Sequence, residues 1–273
     1  MNDSHTDVSD QTTEQLDAGD TNPLVFDLDD GVANLIMQHR PHNLLSPSLM
    51  GALVEGVRRA ESEGARAIVL RSSLRHFSGG ADVSLFGDAQ DGAAPDLTEV
   101  LRAFEDSPLP VIASVHGVCV GGGLETALAC DLVIAAESSK FGCVEATIGL
   151  TPLMGATQRI TQRAGAARAK EMVMLGRRFD ARTLERWNII NRVVPDDQLA
   201  EATDVIAKEI AHGPTVAHTA TKRIISAAVN DGLKAADDAM IDLQKDIWTS
   251  NDLKEGLQSL MTKGPGSARF EGN

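Results

Sequence analysis

Two glutamates that each lie close to a glycine-containing loop are the residues of this sequence best suited to chemistry. Glu125 ends the segment HGVCVGGGLE at 116–125, and Glu145 lies within FGCVEATIG at 141–149. Three consecutive glycines allow a backbone to approach a ligand closely, because no Cβ stands in the way. A helix that begins there offers free N–H groups to negative charge. Since two carboxylates can divide proton donation and removal, the pattern predicts chemistry on a carbonyl compound through an oxyanion.

The neighbours of the two glutamates predict different protonation states. Glu125 is expected in the first turn of a helix, where the helix dipole favours the ionised carboxylate that a base requires. Glu145 is flanked by Val144 and Ala146, and burial among apolar groups would raise its pKa, as an acid requires. Each glutamate also has a structural interpretation, as a stabilising first-turn acid or as a surface carboxylate. His116, just before the glycines, is interpreted as a packed histidine rather than a base.

Alternating strand and helix signals surround these loops. Apolar stretches at 24–28 and 32–37 flank an Asp-Asp-Gly turn, which is typical of a hairpin. Ser46 and Pro47 predict the N-cap and the first turn of a helix. The order of strand, loop and helix predicts an α/β domain. Further strands are predicted at 67–70, 111–115 and 132–135, and helices at 97–104 and from the triple glycine toward Ala129.

Composition divides the chain into three regions. Residues 1–22 are polar and acidic, without the apolar stretch of a signal peptide or the arginines of a transit peptide, and are predicted to be a disordered tail. Residues 23–196 are expected to form the α/β core with the active site. Residues 197–273 show helical patterns and are expected to pack on the core or on another subunit. The polar stretch 87–96 is predicted to be mobile.

Charge and cysteine content argue against several classes of function. The 273 residues carry a formal charge of −14, which disfavours binding to nucleic-acid backbones. No apolar run approaches the roughly 18 residues of a membrane span. The three cysteines, Cys119, Cys130 and Cys143, match no zinc pattern. They predict a reduced, cytoplasmic location and no metal site.

Four segments together resemble the enoyl-CoA hydratase/isomerase family, also called the crotonases. They are RHFSGGAD at 75–82, VHGVCVGGGLE at 115–125, FGCVEATIGLTP at 141–152 and GATQRI at 155–160. The similarity extends from about Leu24 to Phe270. It implies a spiral of β-β-α turns followed by a C-terminal helical trimerisation region, and assembly as a homotrimer or a dimer of trimers.

The resemblance also implies roles for individual residues. Backbone N–H groups of Ala81 and Gly122 would hold the thioester oxygen of an acyl-CoA, where preformed donors stabilise developing charge. Glu125 would activate water for addition at C3, and Glu145 would deliver a proton to C2. Since isomerases of the family typically lack the first glutamate, the sequence is interpreted as an enoyl-CoA hydratase, with no cofactor beyond the CoA of its substrate. Residues implied to border the substrate and its CoA moiety are Arg40, Asn43, Gly80, Ala81, Asp82, Val83, Gly121 and Gly122.

Three departures from the family pattern bear on substrate preference and CoA binding. Leu153 and Met154 replace a glycine-rich turn after the proline, and Ser84 replaces a lysine common after the Gly-Ala-Asp loop. The basic C-terminal ending is reduced to Lys263 and Arg269. Other functions therefore stay open at this point. They are isomerisation of a 3-enoyl-CoA, hydrolysis or decarboxylation of a CoA ester, a serine hydrolase, and a non-catalytic acyl-CoA-binding protein.

Overall fold

The computed structural model describes residues 22–86 and 97–273, in which two β-sheets are surrounded by α-helices. Residues 1–21 of the predicted disordered tail at 1–22, and the predicted mobile excursion at 87–96, lie outside the described residues. The strands are β1 Leu24–Asp29, β2 Val32–Met37, β3 Ala67–Ser72, β4 Val111–Val115, β5 Val118–Val120, β6 Leu132–Ala136, β7 Lys140–Gly142, β8 Phe179–Asp180 and β9 Arg192–Val194. The helices are α1 Pro47–Ser62, α2 Glu99–Asp106, α3 Gly122–Leu128, α4 Ala156–Ala164, α5 Ala166–Leu175, α6 Ala181–Arg186, α7 Leu199–Ala211, α8 Thr215–Asn230, α9 Leu233–Thr249 and α10 Asn251–Lys263.

Strands β4 to β7 alternate between the two sheets. The larger sheet has the order β1-β2-β3-β4-β6-β9, with an antiparallel first pair and parallel pairs thereafter. The smaller sheet has the order β5-β7-β8. Consecutive strands β4 and β5 are followed by α3, and β6 and β7 lead toward α4. Each such β-β-α turn places one strand in each sheet, so the chain advances as a spiral.

Local sequence signals explain the first elements. Asp30 and Gly31 link β1 to β2 with φ angles of +50° and +78°, which is the two-residue turn that suits the twist of a hairpin. The Ser46 hydroxyl accepts a hydrogen bond from the Leu49 amide at 3.3 Å, and Pro47 opens α1. The predicted hairpin, helix start and α/β class are therefore confirmed.

Apolar side chains cover both faces of the larger sheet. On one face, β-strand residues pack with α1, α2 and α3 in the main core. On the other face, Val69 and Ile112 of the sheet cluster with Ala207 and Ala211 of α7. The start of the C-terminal helical region thus packs on the core, which is one of the two alternatives that the sequence left open.

The last three helices present much apolar surface. Only Ala220 of α8 and Ala236 of α9 are buried apolar residues of those helices, which pack mainly against each other. Several large side chains of α8–α10 are exposed, among them Ile225, Trp248 and Met261. No helix in the described part of the chain combines the length and apolar character needed to cross a bilayer.

The strands that the sequence analysis did not predict are short: β5, β7, β8 and β9 have two or three residues each. The helices α4–α6 were not predicted either. A stretch of three residues is too short to display an alternating pattern. These strands exist because neighbouring turns of the spiral supply their hydrogen-bond partners, as when Val118 pairs with Lys140.

Candidate active site

Two glycine-containing loops meet at the start of α3. Gly121 caps this helix with φ +53° and ψ −132°, and its amide donates to the Gly142 carbonyl at 2.9 Å. Gly80, with φ +107°, lies close to the loop that precedes α3. A Cβ on Gly80 would be 3.3 Å from the Val120 carbonyl oxygen and 3.8 Å from the Gly121 Cα. Left-handed backbone at both positions and this close approach favour glycine. The glycines therefore bring the two loops into contact.

The amides of Ala81 and Gly122 lie next to each other. The Ala81 nitrogen is 3.4 Å from the position that a Cβ on Gly122 would occupy. The Leu45 amide donates to the Gly80 carbonyl, and the Leu45 carbonyl accepts from the Asp82 amide. The Ala81 amide takes no part in this pair of hydrogen bonds. Within residues 22–86 and 97–273, neither the Ala81 nor the Gly122 N–H has an acceptor. Two unused donors thus border one space.

That space is a cavity of about 180 Å³ between the glycine loops and the 3₁₀ helix Glu145–Ile148. Both amide-bearing residues and both glutamates line it. Three of its apolar residues are largely exposed and form its outer rim: Val83, Ile148 and Leu153. Further apolar lining residues are Leu97, Val144, Leu150 and Met154. The cavity can therefore enclose an apolar acyl group beside two hydrogen-bond donors and two carboxyls.

Glu125 lies in the first turn of α3 and is only 2% exposed. Its Oε1 accepts hydrogen bonds from the amides of Met154 at 2.8 Å and Ala156 at 3.0 Å. Burial raises the pKa of Glu125 to about 7, the two amides oppose the rise, and the nearby charge of Glu145 adds to it. The sequence predicted that the helix dipole would favour the ionised form. That prediction is wrong, because α3 has only seven residues and the effect of burial on the pKa of Glu125 exceeds the effect of the helix dipole.

Glu145 is the first residue of the 3₁₀ helix that borders the cavity. Its Oε1 lies 3.2 Å from the position that a Cβ on Gly121 would occupy, so the carboxyl is close to the glycine loop. Its Oε2 is buried and has no hydrogen-bond partner among the described residues. Burial raises the pKa of Glu145, which confirms the direction predicted from its apolar neighbours.

Three residues expected to border the substrate lie outside the cavity. The Asn43 side chain is fully buried, and its Nδ2 donates to the Ser72 hydroxyl at 2.8 Å and the Phe77 carbonyl at 3.0 Å. It therefore supports the first glycine loop from beneath instead of facing a ligand. Arg40 is exposed and outside the cavity lining, and the Asp82 carboxylate accepts from the Ser84 amide. The expected residues that do line the cavity are Gly80, Ala81, Val83, Gly121 and Gly122.

The other reactive side chains of the region are packed or buried. His116 contacts the Leu74 carbonyl through Nε2 at 2.7 Å, in keeping with a packed histidine. Cys119, Cys130 and Cys143 are buried and unpaired with each other, and burial raises the pKa of the Cys119 thiol. Across the part of the chain that is described, no group of three or more His, Cys, Asp or Glu side chains is arranged to hold a metal ion.

The loop 152–155 is a part of the site whose role the sequence analysis missed. The departure from a glycine-rich turn was visible there, but its consequence for Glu125 was not. The structure shows that the Met154 amide holds the Glu125 carboxyl, and that the Met154 thioether lies 3.1 Å from the position of a Cβ on Gly122. A backbone hydrogen bond depends on conformation and leaves no signal in residue types.

Burial of Glu125 predicts a pH-dependent cost to stability. Its pKa of about 7 in the folded state exceeds the value of 4.5 in the unfolded state. The contribution of protonated Glu125 to the free energy of unfolding is therefore fully present below about pH 4.5 and is lost as the pH rises through 7. We expect Glu125→Gln, which never ionises, to be more stable than the wild type at pH 8 by up to about 3 kcal/mol. Near pH 5 the two proteins should differ little.

Denaturant unfolding at pH 5 and pH 8 would measure this difference. Glu209→Gln, at an exposed position of α7, is the control and should change stability by less than about 0.5 kcal/mol at either pH. An equal effect of Glu125→Gln at both pH values would contradict the prediction.

Taken together, two free amides, two buried carboxyls and an apolar cavity define an acid–base site for a carbonyl compound. Comparison with known proteins agrees with this class. The sequence profile of the enoyl-CoA hydratase/isomerase family matches residues 27–272. The chain therefore belongs to the enoyl-CoA hydratase/isomerase family, as the four sequence segments predicted, and it has the α/β crotonase fold with a C-terminal helical region.

Individual relatives carry different activities in their names. The chain is 33% identical over 242 residues to a "Probable enoyl-CoA hydratase" of Rhizobium meliloti (strain 1021), covering 85% of this chain and 93% of that protein. It is 32% identical over 244 residues to 1,2-epoxyphenylacetyl-CoA isomerase of Escherichia coli (strain K12), with the same coverage of 85% and 93%. The crystal structure of enoyl-CoA hydratase from Bacillus anthracis superimposes with a TM-score of 0.85 at 29% identity, covering 92% of this chain and all of that one.

Proposed function

We propose that this protein is an enoyl-CoA hydratase that adds water across the C2=C3 double bond of a 2-enoyl-CoA. One observation carries the proposal: Glu125 and Glu145 line the same cavity as the free amides of Ala81 and Gly122. An isomerase needs one carboxyl to move a proton, whereas hydration needs one to remove a proton from water and one to protonate carbon. The presence of both therefore favours hydration.

In the proposed reaction the thioester oxygen accepts hydrogen bonds from Ala81 and Gly122. These fixed donors stabilise the enolate that forms when the nucleophile adds, and they need no reorganisation. Glu125 takes a proton from water through Oε2, since Oε1 is already engaged by two amides. The water oxygen bonds to C3, the C2=C3 electrons move toward the thioester oxygen, and Glu145 gives its proton to C2.

The two carboxyls are suited to different protonation states. Amides that donate to Glu125 stabilise its ionised form, and a pKa of about 7 places it near neutral pH, where a general base is most effective. Glu145 has a buried oxygen without a donor, and its raised pKa favours the protonated form. The proposal therefore assigns the base to Glu125 and the acid to Glu145.

Turnover of crotonyl-CoA compared with 3-hexenoyl-CoA tests the proposed function directly. We expect conversion of crotonyl-CoA to 3-hydroxybutyryl-CoA, identified by mass spectrometry, without an added metal or cofactor. Conversion of 3-hexenoyl-CoA alone would instead support the isomerase alternative. Binding of CoA esters without any turnover would favour a non-catalytic protein. A series of enoyl-CoA thioesters of increasing length would then define the acyl preference.

The proposed base predicts the acidic limb of the pH profile. Since only ionised Glu125 can accept a proton and its pKa is about 7, we expect kcat/KM for hydration to fall about tenfold for each pH unit below about 7. Initial rates with crotonyl-CoA between pH 5 and pH 9 would show this limb. A rate independent of pH down to pH 5 would rule out Glu125 as the base.

Assembly as a homotrimer or a dimer of trimers is also part of the proposal. The exposed apolar side chains of α8–α10, such as Ile225 and Trp248, support an oligomer because isolated surfaces of this kind are unfavourable in water. Analytical ultracentrifugation would determine the number of subunits.

A further inference from the structure

We infer that Arg159 is a positioning residue for Glu125 and acts through a single peptide group. This inference rests on the proposed role of Glu125 as the base. The peptide between Gly155 and Ala156 is hydrogen-bonded at both ends. Its carbonyl oxygen accepts from Arg159 Nη1 at 3.1 Å and from the Arg159 backbone amide at 3.3 Å, and its N–H donates to Glu125 Oε1 at 3.0 Å. Because a peptide group is planar and rigid, fixing the carbonyl fixes the direction of the N–H.

Gly155 makes this contact possible. Its backbone has φ +100°, and a Cβ there would lie 1.9 Å from Arg159 Nη1. The guanidinium therefore occupies the space of a missing side chain and lies directly against the loop. Such a fit indicates that the loop and the arginine are arranged as one unit.

The guanidinium is itself held from a distant element. Both Nε and Nη2 of Arg159 donate to Oε1 of Glu105 near the end of α2, the former at 2.8 Å. The Arg159 side chain is 16% exposed, so its ion pair is partly shielded from water. A continuous path of hydrogen bonds thus runs from α2, through Arg159 and one peptide, to the carboxyl of Glu125. Hydrogen bonds in such a chain polarise and strengthen one another.

The positive charge of Arg159 also favours the ionised form of Glu125. Burial is the main cause that raises the pKa of Glu125, the charge of Glu145 adds to it, and the positive charge of Arg159 opposes it. The Cys143 thiol also interacts with Glu125. Arg159 therefore favours the ionised carboxylate that accepts a proton from water, while it remains outside the cavity lining.

Arg159→Gln tests the inference, and Arg71→Gln is its matched control. Arg71 also forms one ion pair between two elements, to Asp204 at 2.6 Å, and its side chain is similarly 21% exposed, but it lies outside the cavity. We expect Arg159→Gln to lower kcat on the order of 10- to 100-fold, because a shift of about 1 Å in a catalytic group has effects of that size. KM should change little, and Arg159→Lys should recover part of the activity.

The Glu105→Gln variant completes a double-mutant cycle. Since Glu105 acts only through the arginine, the double variant should be no slower than Arg159→Gln alone. Arg71→Gln should leave kcat and its pH dependence unchanged. If Arg159→Gln matches Arg71→Gln in both quantities, or loses activity only in proportion to its loss of thermal stability, the inference is overturned.

A readout that needs no turnover separates this inference from the proposed function. The carboxyl carbon of Glu125, labelled with ¹³C and assigned by its absence in Glu125→Gln, can be titrated by NMR. We expect a higher titration midpoint in Arg159→Gln than in the wild type and an unchanged midpoint in Arg71→Gln. A wild-type protein that hydrates no enoyl-CoA refutes the proposed function alone, whereas equal midpoints in all three proteins refute the role of Arg159.

Discussion

Replacement of Glu125 by glutamine is expected to lower kcat for hydration of crotonyl-CoA by roughly 100- to 10,000-fold, the usual contribution of a general base. Glutamine keeps the size of the side chain, and its oxygen can still accept the hydrogen bonds from Met154 and Ala156. It cannot take a proton from water. KM should therefore change only slightly, and the same variant should gain stability at alkaline pH.

Glu145→Gln provides the comparison that assigns the roles. If Glu145 alone can move a proton between carbons, Glu125→Gln should retain any isomerisation of 3-hexenoyl-CoA, whereas Glu145→Gln should lose both reactions. Both rates can be followed by chromatography of the CoA products. Hydration that survives nearly intact in Glu125→Gln while isomerisation is lost would show that the assignment of this protein as a hydratase is wrong.

Gly122→Ala is the second substitution with a large expected effect. The added methyl group would lie 3.4 Å from the Ala81 nitrogen and beside the Gly122 amide, in the space between the two donors. It should keep the thioester oxygen from reaching both N–H groups. Loss of one oxyanion donor typically costs roughly 100- to 1,000-fold in kcat, and we expect a decrease of that order.

The fold should tolerate this methyl group. Its nearest neighbours are Leu45 Cδ1 at 3.0 Å and Met154 Sδ at 3.1 Å, which are ends of side chains that can move by a few tenths of an ångström. Gly51→Ala in α1, where nothing lies within 4 Å of the new Cβ, is the control for adding a methyl group to a helix. Circular dichroism and crotonyl-CoA kinetics would be measured on both variants. Wild-type activity in Gly122→Ala would exclude its amide from the oxyanion site.

The sequence alone determined the local features of this protein. The turn at Asp30 and Gly31, the cap at Ser46 and the start of α3 at the triple glycine depend on backbone preferences of a few adjacent residues. Such preferences depend on residues that are adjacent or only a few positions apart in the sequence. The longer strands of the larger sheet, such as β3, β4 and β6, could be predicted for the same reason.

Only the tertiary structure decided how the site residues are used. Asn43 matched a family segment that borders the ligand, yet its side chain is enclosed beneath the loop by Ser72 and Phe77. Its surroundings come from residues about thirty positions away, which no local pattern describes. Burial and hydrogen-bond partners of a side chain depend on which elements pack around it.

The protonation of Glu125 shows the same division. Its position in a first turn predicted an ionised group, but its pKa is set by desolvation, by Glu145 and by the amides of Met154 and Ala156. The sequence alone determines that the Glu125 carboxyl follows three consecutive glycines. The spiral of β-β-α turns decides its neighbours, and because electrostatic free energy depends on distance and solvent exposure rather than on order along the chain, only the folded chain sets its strength as a base.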